Sequence, residues 1–493
     1  MHRLHRAAPP RPARPLPGPP AHRRGRRPAA HPRLPRADPR RLRGRHLSQR
    51  HDRVAPRHQQ RHLLQRDGGQ GRRHPPRSAR AARGPVGRGG TVTATPATPG
   101  PAATAEVVVV GGGVVGAAIA HALVTAGAGP VVLCEQGRAA WQGATSRSGG
   151  LLRLHHTTHP DTRLATLSLP VFQNWSEVIG GDCGYRRTGF VMLVDEKYAD
   201  RLAVNSDAVV LAGGTSRVID LAEVRSLYPG LNLDGVGAAA YEPEGGYADP
   251  AATTAALLAA GRRHGLRVYE GTRVEAVETR GERVTGVATS IGRIAAGTVV
   301  LAQGAWGARL ARPLGVDLPV RPRRIGIALA DTGGPDGVAP AIPTCIDDTT
   351  GRYFRPDGAG RMFFGVPSDD RMELDRELPP LTPEELTAAR AAVGCRVPAA
   401  ATAPVIGTRA GFDGYTPDRR PVIGPAGPEG CYLATGFSGG GFKTAPVVGS
   451  LVAAELIGTG PAGPTEEELL RPYRPDRFAA GRPSAGDHSY AHM

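Results

Sequence analysis

The chain has 493 residues, enough for two or three domains, and carries a formal charge of +18. The charge is local: residues 1–91 hold 25 Arg, no Lys and 3 Asp (+22), leaving 37 basic against 41 acidic side chains (−4) in the remainder. That division removes the global argument for a nucleic-acid-binding enzyme, and no nucleic-acid partner is expected.

In chain order, residues 1–91 are Arg, Pro, His and Gly with few apolar residues, a composition that cannot offset its own ordering entropy. Residues 1–104 are therefore expected to be a disordered Arg/Pro-rich tail and linker. An RNA- or membrane-contacting arm is one alternative; a start set too far upstream, with the true one near Val92, is another. No apolar stretch follows the Arg-rich start, so no secretory signal is read. The apolar run Val107–Cys134 is broken by Gly111, Gly112, Gly113, Gly116, Gly127, Gly129 and His121. It reads as strand, turn, helix and strand, and no transmembrane segment is expected.

A helix is predicted over 162–178 with a bend at Pro170, a strand over Gly189–Val194 and an Ala-rich helix over 251–264. Strands follow at Leu266–Tyr269, Val274–Thr279, Arg283–Thr289 and Thr298–Leu301. Between 319 and 367, strand-like pieces alternate with Gly, Pro and Asp turns. Thr382-Pro383-Glu384-Glu385 carries a helix-start signature. Strand Cys431–Ala434, a glycine-rich turn at 436–441 and a helix from Lys443 to Leu456 complete the pattern. The expected organisation is a nucleotide-binding domain assembled from 105–180, 245–318 and 405–465. A substrate domain is inserted as 181–244 and 319–404, and 466–493 is a loosely ordered C-terminal tail. The five cysteines (134, 183, 345, 395 and 431) show no C-x-x-C pair. No metal site or disulfide framework is expected, and a cytoplasmic location is.

Gly111-Gly112-Gly113-Val114-Val115-Gly116 satisfies G-x-G-x-x-G in the context that gives it meaning: an apolar strand before, a helix after and Glu135 ending the next strand. Gly111, Gly113, Val115 and Gly116 would bring backbone and a helix N-terminus to a pyrophosphate, and Glu135 would accept ribose hydroxyls. The fingerprint alone does not separate NAD from FAD. Gly143-Ala144-Thr145-Ser146-Arg147-Ser148-Gly149-Gly150 and the distant Gly436-Phe437-Ser438-Gly439-Gly440-Gly441-Phe442-Lys443 favour FAD, because an NAD site needs no such distant turn.

With VVVVGGGVVGAAIAHAL, GATSRSGGLLR, VVLAQGAW, YTPDRRPVIGPA and ATGFSGGGFKTAPVVG, the chain resembles the FAD-dependent amine and amino-acid oxidoreductases of the D-amino-acid oxidase superfamily. The branch it looks most like holds sarcosine oxidase and dimethylglycine dehydrogenase. The resemblance implies an α/β fold: a Rossmann-like FAD-binding domain assembled from discontinuous segments, with an inserted antiparallel β-rich substrate domain. It implies that Ser146 and Arg147 lie beside the pyrophosphate and flavin, that Val274 meets the adenine, and that Gly304 and Trp306 close over the cofactor. Gly439, Gly440, Gly441 and Phe442 would lie under the flavin's pyrimidine end, where a helix N-terminus stabilises the charge of the reduced ring.

The same resemblance assigns Arg153 and Lys443 to a clamp on a substrate carboxylate. Tyr353 aligns with an active-site tyrosine or merely packs. His155 and His156 are acid–base groups, pocket lining or polar loop residues. Where relatives attach flavin covalently this chain has Arg147 and Arg409-Ala410-Gly411, so non-covalent FAD is expected. Where sarcosine oxidases carry an oxygen-activating Lys it has Phe363 and Phe364, with Arg361 the nearest cation, and their following His is replaced near Val366-Pro367. Both departures weigh against sarcosine itself and against oxidase behaviour. The expected reaction is hydride transfer from a small amine or amino acid to flavin N5, giving an imine that hydrolyses, with oxygen or an electron carrier as acceptor. The alternatives are an NAD-dependent dehydrogenase and a binding protein with structural FAD.

Overall fold

The computed structural model describes residues 103–493 except 142, 334–339, 359, 370–372, 375–377, 459–465, 482–488 and 493. The Arg-rich segment and the start read at Val92 lie outside the described residues. Four consecutive valines form β1 (Val107–Val110), followed by α1 (Val114–Thr125) and β2 (Val131–Cys134). Later elements complete the layer: α2 (His159–Gln173), α3 (Pro250–Arg263), β3 (Arg267–Tyr269), β4 (Thr298–Leu301), β5 (Val422–Pro425), β6 (Cys431–Thr435) and α4 (Gly441–Ile457). The sheet order is β5-β6-β4-β1-β2-β3, parallel throughout except for β5 on β6.

The continuous apolar strands follow from burial on both faces. Val107, Val109, Val131 and Leu133 enter a core shared with Ile119, Leu123, Val448 and Val452 of α1 and α4. Val108, Val110, Val132 and Cys134 enter the opposite core with Val284, Val287 and Ile294. Those three belong to a four-stranded sheet of Ala103–Thr104, Gly292–Ala295, Arg283–Thr289 and Val274–Arg280. Ala103–Thr104, read from sequence as linker, is its edge strand, parallel to Ile294-Ala295.

An eight-stranded sheet makes up the β-rich part. Its order is Val405–Tyr415, Arg321–Asp331, Arg361–Asp369, Arg352–Pro356, Thr344–Asp347, Phe190–Val194, Ala238–Glu242 and Arg217–Ile219. Every neighbouring pair is antiparallel except Thr344–Asp347 with Phe190–Val194. Helix Pro383–Arg396 packs on it through Ala389 and Val393, and its capping box forms as read: Glu385 N–H to Thr382 Oγ1 at 3.2 Å and Thr382 N–H to Glu385 Oε2 at 2.7 Å.

Three readings are corrected. Val405–Tyr415, assigned above to the nucleotide domain, is the edge of this sheet, in register with Arg321–Ala330. The helix predicted over 162–178 with a bend at Pro170 instead ends at Gln173, with Pro170 inside it. The Asn174 side-chain amide donates to Pro170 O (2.8 Å), and a short turn, Trp175–Val178, follows. Residues 466–479 are not loose: they form short helices that bury Leu470 and Tyr473, with Arg477 paired to Asp418 at 2.8 Å. Among the described residues no helix is long and apolar enough to cross a membrane.

Candidate active site

β1 runs into the glycine turn with Gly111 at φ +111°, where a Cβ would stand 2.5 Å from Ala302 O. A Cβ on Gly116 would stand 2.0 Å from Gly111 O, so the turn and the first turn of α1 touch backbone to backbone. The helix N-cap, Gly113, supplies no capping side chain, and Val114 N–H is met by a side chain, Thr145 Oγ1 at 3.1 Å. Glu135 at the end of β2 accepts Gly112 N–H (2.7 Å) and Gly137 N–H (2.9 Å). A carboxylate held this way keeps lone pairs for further donors.

A cavity of about 990 Å³ opens on this cradle. Gly111, Gly113, Val115, Glu135, Val274, Gly304 and Trp306 line it, and so do Arg147, Gly439, Gly440, Gly441, Phe442 and Lys443. Trp306 stands edge-on to Phe412, with ring centroids 5.9 Å apart. Two expected cofactor contacts are elsewhere. Gly116 serves the close packing against Gly111, and Ser146 turns its hydroxyl to Trp141 O (2.8 Å), leaving Thr145 at the wall. Arg147 reaches Ala410 O at 3.1 Å, and Arg409 reaches Ser146 O at 3.2 Å. At the glycine turn, Gly440 N–H is donated to Phe437 O (2.8 Å). Gly441 and Phe442, the first residues of α4, retain N–H groups without intrahelical acceptors. Two helix starts, of α1 and α4, lining one cavity fit a dinucleotide carrying a ring that becomes anionic on reduction.

At the α4 end the cavity collects charge. Lys443 is buried, with Nζ 3.4 Å from Gly439 O; burial, reinforced by Arg153, lowers its pKa to about 7. Arg153 donates to His155 O, and burial lowers its pKa to about 10. Beside Lys443, Asp413 is raised by burial to about 6, against the pull of the Gly414 and Gly439 N–H groups and of Lys443. Asp161 also lines the wall and accepts from Tyr473 Oη at 2.9 Å. Behind Arg153, Glu242 accepts Leu154 N–H (2.7 Å) and is raised to about 7 by burial. Tyr353 faces the cavity, its ring against Gly365, where a Cβ would come within 2.3 Å.

One expected site residue is misplaced. His155 points away from the cavity, its Nε2 2.7 Å from Tyr490 Oη. Its neighbour His156 lines the wall, with no hydrogen-bond partner at Nε2. Burial and the neighbouring cations hold both rings neutral. Asp413 and Glu242 were missed in the sequence; the only signal was a carboxylate set in an otherwise apolar or glycine-flanked strand.

A glycine cradle joined through one cavity to a second helix N-terminus and a cationic pocket defines a nucleotide-dependent oxidoreductase. Residues 106–455 match the family described as FAD dependent oxidoreductase; the chain belongs to it, and FAD is its cofactor. That excludes the NAD alternative. The chain is 26% identical over 331 residues to mitochondrial dimethylglycine dehydrogenase of Rattus norvegicus, covering 63% of this chain and 38% of that one. It thus spans well under half the length of that relative. It superposes on L-proline dehydrogenase from P. horikoshii with a TM-score of 0.68 and 26% identity, covering 78% of this chain and 100% of that one. On glycine oxidase from Geobacillus kaustophilus the values are 0.66 and 26%, over 76% and 98%.

Proposed function

We propose that this protein oxidises the C–N bond of a small amino acid or N-substituted amino acid. The observation that carries the reading is the pairing of Arg153 and Lys443 in the wall of one cavity beside the N-terminus of α4. Two cations with depressed proton affinity in a buried site have unused affinity for an anion. The three relatives named above support the choice, since dimethylglycine, proline and glycine all carry a carboxylate next to the amine.

When bound, FAD supplies the two-electron acceptor. The chain's own residues do the rest. Arg153 and Lys443 would take the carboxylate oxygens and hold the α-carbon still, the positioning that C–H cleavage requires. Asp413 offsets part of the Lys443 charge while accepting Gly414 N–H of its own strand at 2.8 Å and Gly439 N–H of the glycine turn. His156, held neutral by burial and the surrounding cations, lines the same wall. Tyr353 fills the wall opposite Gly365 and limits the water admitted there.

Non-covalent FAD is part of the reading, supported by Arg147 and Arg409 standing at the two attachment positions. Electrons would leave to oxygen or to an electron carrier. A reducing compartment such as the cytoplasm fits five unpaired thiols. The test is anaerobic addition of small amino acids and their N-methyl derivatives to the purified yellow protein, followed by acid precipitation. Bleaching by at least one of them, with FAD released to the supernatant, is the expected result. A flavin that no amino acid bleaches overturns the reaction, and flavin kept in the pellet overturns non-covalent binding.

A further inference from the structure

The cavity wall near Tyr353 is completed by residues far along the chain. Ser489, Ala491 and His492 line it, and Tyr490 is buried behind them. Several separate elements hold this short segment. Arg201 donates to Ser489 O at 2.8 Å. Asn205 Nδ2 donates to Tyr490 Oη at 2.7 Å, which leaves the phenol proton for His155 Nε2, also at 2.7 Å. Asp348 accepts Ala491 N–H at 2.9 Å and His492 N–H at 2.8 Å, and its carbonyl accepts His492 Nδ1–H at 2.6 Å.

These contacts are built into the fold. Asp348, Asn205 and His155 are 2%, 2% and 0% exposed. A carboxylate at that depth requires donors, because an unmet buried acceptor costs more than a surface contact returns. The adjacent Asp347 accepts from Arg396, Thr349 and Thr350, whereas Asp348 turns to the segment. Tyr490 also reaches the substrate end: its partner His155 accepts Arg153 through the main-chain carbonyl, and the next residue, His156, lines the cavity.

We propose that Ser489–His492 is a specificity-determining wall of the substrate site, closing the cavity beside Arg352 and Tyr353 and, through Tyr490 and His155, positioning Arg153. The consequence is selection for small amino acids. The inference deepens the proposed function and rests on it for the nature of the substrate.

Two readouts on the full-length, FAD-loaded protein decide it, with Tyr490→Ala, Tyr490→Phe and His492→Ala as variants. Iodide quenching of flavin fluorescence measures access to the cavity without turnover. Anaerobic flavin reduction by a glycine-sized and by a bulky amino acid measures selection. Tyr490→Ala should raise quenching and lower kcat/KM for the small substrate about tenfold, mainly through KM, the size of one lost hydrogen bond. The bulky substrate should lose less, so the small-to-bulky ratio narrows. Tyr490→Phe, which keeps the ring, should fall between it and the wild type, and His492→Ala should narrow the ratio as well. Unchanged quenching, or an unchanged ratio in Tyr490→Ala and His492→Ala, overturns the proposal. If no amino acid reduces the wild-type flavin, the proposed function has failed, and quenching alone decides whether the segment walls the cavity.

Discussion

Arg153 and Lys443 line one cavity, and the Arg153 charge adds to the loss of proton affinity at Lys443: burial takes Lys443 to about 7, helped by Arg153, and burial alone takes Arg153 to about 10. An anion bound between them would relieve both. Charge-assisted hydrogen bonds of this kind are worth about 1.5–3 kcal/mol each. Lys443→Met and Arg153→Met should each cost roughly one to two powers of ten in kcat/KM for an amino acid. The double variant should be less than additive, since both hold one group. FAD content, read from the visible spectrum, should stay near that of the wild type in all three.

Lys443 and Asp413 together fix a pH dependence. Lys443 is cationic below about 7 and neutral above it, and Asp413 gains negative charge as pH rises through about 6. Both changes weaken an anion site as pH rises. The Kd of a simple carboxylate such as acetate, titrated against the flavin spectrum, should therefore increase through neutrality. In Lys443→Met the step near neutrality should vanish and only the Asp413 contribution remain. An affinity flat with pH in the wild type contradicts the assignment of Lys443.

Two glycines separate cofactor binding from substrate chemistry. Gly116→Ala drives a Cβ to 2.0 Å from Gly111 O, backbone that cannot yield without opening the cradle. That variant should purify without flavin. Gly365→Ala meets the Tyr353 ring at 2.3 Å, and overpacking of this kind costs about 1–3 kcal/mol. It should keep its FAD and lose kcat/KM, because the displaced ring forms part of the substrate wall. The spectrum and steady-state kinetics of the two proteins check both statements.

What the sequence could disclose follows from how local each signal is. β1 and β2 were legible because burial on both faces forces a continuous apolar run, and the glycine spacing marked the cradle before any contact was known. Arg153 and Lys443 came from motifs that resemble a family. His155 and His156 could not be told apart, since neighbours on an extended segment point to opposite sides and only packing decides which meets the cavity. Glu242 and Asp413 acquire meaning from strands brought together across the sheet. Val405–Tyr415 has no clean alternation, so its membership of the eight-stranded sheet was invisible. Ser489–His492 offers no pattern at all; its place is set by Asp348, Asn205 and His155, each distant in sequence.

Reaction with oxygen is expected to be slow. The strand where sarcosine oxidases carry an activating Lys holds Phe363, stacked on Arg355 with its centroid 4.5 Å from the guanidinium, and Phe364, fully buried in the core of the eight-stranded sheet. Neither side chain lines the cavity. Stopped-flow reoxidation of the reduced protein in air-saturated buffer should be slower than turnover with an artificial acceptor. Reoxidation faster than turnover would mean that oxygen is activated by another group.

The central claim is that the carboxylate selects the substrate. The most direct measurement compares anaerobic flavin reduction by an amino acid and by its decarboxylated amine, in the wild type and in Lys443→Met. The wild type should strongly prefer the amino acid, and the substitution should slow the amino acid while leaving the amine nearly unchanged. A wild type that prefers the amine, or a substitution that slows both compounds equally, would contradict it and assign the two cations to the flavin or to the fold.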